Sequence, residues 1–70
     1  MATSVIARNP GILGGEPIFR GTRVPFKSFT DYIEHGRTLN EFLDDFPSVT
    51  RAEVIAALEE ARISLAEALR

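Results

Sequence analysis

Cysteine and tryptophan are absent from this 70-residue chain, and histidine occurs once. Without thiols there can be neither a disulfide nor a thiolate metal site, and a zinc site would have to gather carboxylates around His35 alone. No cofactor or metal is therefore expected. Long apolar runs are missing too: none approaches the roughly 20 residues that cross a bilayer. The stretch Met1 to Pro10 lacks both the apolar core of a signal peptide and the Arg/Ser-rich pattern of a transit peptide. The expectation is a soluble cytoplasmic protein. Neither G-x-x-x-x-G-K-[ST] nor G-x-G-x-x-G occurs, so Gly14-Gly15 and Gly21 do not form a nucleotide loop. The lone imidazole falls in the last turn of an expected helix, where a cation suits the dipole. The adjacent Asp44 and Asp45 diverge by about 100° on a helix and cannot share one scissile bond. No enzyme is expected.

Seventy residues make one small domain. A core of that size rarely supplies more than about 3–5 kcal/mol net, and with disulfides and metals excluded the remaining reinforcement is association. A homodimer, a hetero-oligomer or both are expected. Charge is unevenly spread within the net −2: residues 1–37 hold five Arg/Lys against three Asp/Glu, and residues 38–70 hold three against seven. An anionic partner is drawn to the first half and a basic one to the second.

What is present divides the chain into an arm, 1–24, and a helical part, 25–70. Thr38-Leu39-Asn40-Glu41 and Thr50-Arg51-Ala52-Glu53 are two Thr-x-x-Glu capping boxes, each marking a helix start. Leu39, Phe42, Leu43 and Phe46 then follow the i, i+3, i+4, i+7 stripe of a two-turn helix that Pro47 closes. Val54, Leu58, Ala61, Leu65, Ala68 and Leu69 keep a near-heptad spacing along a last helix of about 30 Å running to Arg70. Upstream, Pro25 to His35 reads as a helix with proline at its first position and Gly36 just past its end. Its apolar face is Phe26, Phe29 and Ile33. The arm instead holds two β-prone runs, Ser4–Ala7 and Pro17–Arg20, separated by the turn signals Asn9-Pro10-Gly11 and Gly14-Gly15. The expected fold class is mainly α: three helices, the last pair spaced as a helix-turn-helix, preceded by a short β-hairpin or strand pair.

Three helices whose last pair is joined by a short turn follow the plan of helix-turn-helix DNA binders, and an ordinary helical mini-domain fits the same spacing. In the former, Ser48, Thr50 and Arg51 approach DNA bases or phosphates, and Arg20, Arg23 and Arg37 supply phosphate contacts. The last helix is acidic for a groove-filling element, which favours protein over DNA as its partner. Asp44-Asp45 lies where the helix dipole disfavours negative charge. It is either solvated, neutralised by Arg37 or Arg51, or a contact for a basic partner. Arg20 and Arg23 either pair with the acidic half or meet phosphate or a partner.

The ordered elements Pro10-Gly11-Ile12-Leu13-Gly14-Gly15-x-Pro17, Gly21-Thr22-Arg23-Val24-Pro25, Gly36, Phe46-Pro47-x-Val49-Thr50 and Val54-x-x-Ala57-Leu58 resemble the domain of unknown function 433 family, from Val5 to about Ala61. The resemblance implies a small protein of homeodomain-like three-helix helix-turn-helix fold, similar to VapB-type antitoxins of type II toxin–antitoxin systems. Such a protein binds a toxin with a PIN-like ribonuclease domain and, with it, represses its own operator DNA. Many such antitoxins carry a flexible tail, whereas this chain ends in an expected helix, so neutralisation would use folded surface. The partner-binding candidates are Leu58, Glu59, Arg62, Leu65 and Leu69, with Asp44 and Asp45. In a competing arrangement the same helix face closes a homodimer and the toxin meets the Gly14 to Arg23 segment. A free-standing transcriptional regulator or scaffold without a toxin is the alternative from another class.

Overall fold

The computed structural model describes residues 4–69. A two-stranded antiparallel sheet, β1 (Ile6–Ala7) and β2 (Ile18–Phe19), is followed by three helices: α1 (Phe26–Glu34), α2 (Leu39–Asp45) and α3 (Arg51–Ala68). The architecture is mainly helical, with the short sheet at its N-terminal side. Ile6 pairs with Phe19 and Ala7 with Ile18. So short a sheet is marginal alone and must be tied down. One tie is Glu60 of α3, whose carboxylate accepts from Ser4 Oγ at 2.5 Å and from the Val5 N–H at 3.2 Å. Another is Arg20, whose Nε and Nη2 donate to the Ser4 and Ile6 carbonyls at 2.7 and 3.3 Å.

The Gly-Thr-Arg element is a turn built around one hydroxyl. Thr22 Oγ1 donates to the Phe19 carbonyl at 2.7 Å and accepts from the Val24 N–H at 3.0 Å, while Gly21 takes φ 80. Val24 then lies antiparallel to β2, accepting from the Phe19 N–H at 2.9 Å. This turn sets the sequence expectation right at Pro25. Rather than opening the helix as its first residue, Pro25 is its N-cap, extended at φ −73 and ψ 146 and bridged to Ile18. Its fixed φ serves a strand end as well as a helix start.

Both capping boxes form in full. Thr38 accepts from the Glu41 N–H and Thr50 from the Glu53 N–H, with each glutamate reaching back to its threonine N–H. Gly36, at φ 74, closes α1. Between the strands Leu13–Gly15 make one 3-10 turn, in which Leu13 takes φ 50 without being glycine. α3 ends at Ala68 with Leu69 as its cap; Arg70, to which the sequence extends this helix, lies outside the described residues.

The chain's five phenylalanines and one tyrosine gather into a single cluster. Phe42 is its centre, with ring centroids 5.3 Å from Phe29, 5.4 Å from Tyr32 and 4.9 Å from Phe46. The Phe29 and Tyr32 contacts are edge-to-face, a geometry that contributes about 0.5–1.5 kcal/mol per pair beyond burial. Phe19 brings β2 into the same core, and Val49, Val54 and Ala57 seal it from the α3 side. Among the described residues no helix is long and apolar enough to cross a membrane.

Candidate binding surfaces

α3 carries two apolar stripes, where the sequence reading assigns one. Val54 and Ala57 are buried against the aromatic cluster and Ala61 is half-buried. The second stripe is Ile55, Leu58, Leu65 and Leu69, exposed by 53%, 40%, 63% and 85%. With Arg62 these positions step by three and four residues alternately, which aligns them along one side of a helix. Arg62 does not interrupt the stripe with a free charge, because its guanidinium donates to Glu59 Oε1 at 2.9 and 2.6 Å. That contact holds the Glu59 carboxyl below the usual glutamate range and raises Arg62. Ile63, also exposed, stands off this line. Leu58, Glu59, Arg62, Leu65 and Leu69 are thus brought together. Ile55, which the sequence reading misses, belongs with them and was visible in the three-four spacing.

Asp44 and Asp45 lie elsewhere, at the end of α2. Asp44 is exposed. Asp45 accepts from the Tyr32 hydroxyl at 2.6 Å and sits 3.7 Å from Arg37 Nη2. The hydroxyl's hydrogen bond to this carboxylate, more than its partial desolvation, raises Tyr32 above the usual phenol pKa. Arg37 therefore compensates the dipole at Asp45, as the sequence allows, and Arg51 does not; Arg51 bonds Asn40 instead.

The six DNA-contact candidates separate in space. Arg37 is held by Glu41 at 2.8 Å and lies over the Tyr32 ring at 5.0 Å, so its charge is already shared. The Thr50 hydroxyl is committed to its capping box. Arg20, Arg23 and Ser48, however, line one open groove of about 800 Å³ between the arm and the turn that joins α2 to α3. Arg8 joins them there, with Ile12 and Val24 among the apolar lining, and no carboxylate contributes among the described residues. Three arginines with no carboxylate among the described lining residues give this groove a positive character, in a chain of net charge −2. Sequence reasoning found Arg20, Arg23 and Ser48 separately but not Arg8, whose place depends on the β1–β2 pairing.

His35 caps α1, its Nδ1 2.7 Å from the Asp31 carbonyl oxygen. It belongs to the helix end and to neither surface.

Comparison with known proteins agrees with this architecture. A DUF433 protein of Anabaena variabilis ATCC 29413, known from its crystal structure, superposes with a TM-score of 0.75 at 26% identity. That match covers 93% of this chain and 64% of the other. The chain is also 32% identical over 53 residues to the uncharacterized protein y4eO of Sinorhizobium fredii (strain NBRC 101917 / NGR234). The matched region is 76% of this chain but only 24% of that protein's length. The family model of the protein of unknown function DUF433 matches residues 6–61, from β1 through the half-buried part of α3. With the match spanning arm, turn and all three helices, the chain belongs to the DUF433 family.

Proposed function

We propose that this chain acts by binding rather than by turnover, as the antitoxin of a type II toxin–antitoxin pair in the cytoplasm. Its partner is a ribonuclease with a PIN-like domain, which it neutralises by covering the path of RNA to the active site. The observation that carries this proposal is the exposed stripe Ile55, Leu58, Leu65 and Leu69 on α3. Large aliphatic side chains aligned on one helix face, flanked by carboxylates, suit a helix-in-groove contact with a basic protein.

Co-expression with the neighbouring reading frame, followed by size-exclusion chromatography with light scattering and an RNA cleavage assay, tests the role. A stable complex with suppressed cleavage supports it. A chain that ignores its neighbour moves the assignment to a free-standing regulator or scaffold.

Operator binding is a second proposed activity, supported by a different observation: the arginine groove opens beside the α2–α3 turn at Ser48. Gel-shift titrations on the operon's own promoter test it. Binding whose salt slope falls by about one on Arg23→Ala supports phosphate contact, and binding unaffected by that change argues against it.

A further inference from the structure

The groove and the far end of α3 have complementary chemistry. The groove offers Arg8, Arg20 and Arg23 over an aliphatic lining that includes Ile12, Ile18 and Val24. Among the described residues no aromatic side chain lines it, so it lacks the stacking platform that single-stranded nucleic acid uses. Aliphatic lining with a cationic rim fits an aliphatic segment that carries carboxylates. Residues 61–69 are such a segment, with Ile63, Leu65 and Leu69 exposed and the exposed Glu67 without an intramolecular partner among the described residues, whereas Glu60 is held by Ser4 and Val5 and Glu59 by Arg62.

The two surfaces of one molecule cannot meet. Ser48, at the groove, lies just before α3, and the helix then runs 18 residues, about 27 Å, away from it. Pairing of two α3 stripes about a two-fold axis would bury the exposed Glu59–Arg62 ion pair of each chain in the seam, at a cost in desolvation. We propose that the end of α3 of one molecule docks into the arginine-rimmed groove of a second copy. Reciprocal docking closes a two-fold dimer with two identical contacts, each burying the acidic aliphatic helix end of one subunit under the arginines of the other. The dimer withholds Leu65 and Leu69 until another partner competes for them.

Light scattering and analytical ultracentrifugation of the full chain test this, independently of whether a nuclease is bound. The expected Kd lies in the range of about 1–100 μM, fitting small contacts. Two double variants probe the two sides: Arg8→Glu with Arg23→Glu in the groove, and Leu65→Asp with Leu69→Asp on the helix. All four positions are exposed, and Arg8 and Arg23 make no hydrogen bond or ion pair among the described residues, so circular dichroism should show both variants folded. Each alone should weaken association at least about tenfold. Mixing them should restore a heterodimer, since one intact groove meets one intact helix end. A wild-type chain that stays monomeric overturns the proposal, as does a groove variant that associates like wild type, which would mean stripe-on-stripe pairing. A monomer that instead binds duplex DNA through Arg8 and Arg23 would assign the groove to nucleic acid. Loss of nuclease suppression with the dimer intact would count against the antitoxin role alone.

Discussion

The two halves of α3 have similar helix-forming composition but opposite settings. From Arg51 to Ala61 the helix is anchored: Thr50 and Glu53 cap it, Val54 and Ala57 are buried, and Glu60 clamps the N-terminal arm. From Arg62 to Leu69 every residue is exposed, including three large aliphatic ones. The first half is held by the fold, whereas the second depends on helix propensity and the Glu59–Arg62 pair. Local sequence decides that both halves are helical, and tertiary packing decides which half contributes stability. Aliphatic side chains kept where they stabilise nothing internal are the ones available to a partner.

Substitutions can sharpen that contrast. The largest effect is expected at the centre of the aromatic cluster: Phe42→Ala should cost about 3–5 kcal/mol, on the scale of the whole stability of so small a domain. Chemical denaturation or thermal circular dichroism should find it largely unfolded. Glu60→Ala should cost about 1–3 kcal/mol by leaving Ser4 Oγ and the Val5 N–H without their acceptor. Hydrogen exchange should show β1 loosened before the helices. Thr50→Ala should cost about 1 kcal/mol through the lost cap, read as a lower urea midpoint. Leu65→Ser, in the exposed half, should change stability by no more than about 0.5 kcal/mol. If its cost approached that of Phe42→Ala, the contrast between the halves would collapse.

The mildest effect is in acid. The Thr38 N–H, with Arg37 beside it, holds the Glu41 carboxyl below the usual glutamate range, and Arg62 does the same for Glu59. Stability from these carboxylates is complete above the ordinary glutamate pKa and is lost as pH falls through their lowered values. Glu41→Gln should lower the neutral-pH midpoint slightly and leave the acid end unchanged, which flattens the acid limb of a midpoint-against-pH curve.

Most of the helical plan was legible in the sequence because its signals are local. Two Thr-x-x-Glu boxes, Gly36 and Pro47 mark helix ends through hydrogen bonds and dihedrals that lie within a few residues. Less legible was anything set by distant packing. Phe19 sits in a short β-prone run, yet it is fully buried because the sheet lies on the helices. The near-heptad pattern of α3 merged two faces, since the direction in which α1 and α2 cover it is not written in α3 itself. The groove needed β1–β2 pairing and the Thr22 turn to bring Arg8, Arg23 and Ser48 together. Arg37, read as a phosphate contact, is drawn into Glu41, Asp45 and Tyr32 by the α1–α2 turn.

The central claim, that the exposed α3 stripe serves binding rather than folding, is tested most directly by Leu58→Asp with Leu65→Asp in the full chain. Its urea midpoint and its capture of the co-expressed neighbouring protein are measured side by side with wild type. The account predicts a near-unchanged midpoint, a lost complex and released ribonuclease activity. A variant that folds, keeps its complex and still suppresses cleavage would contradict it.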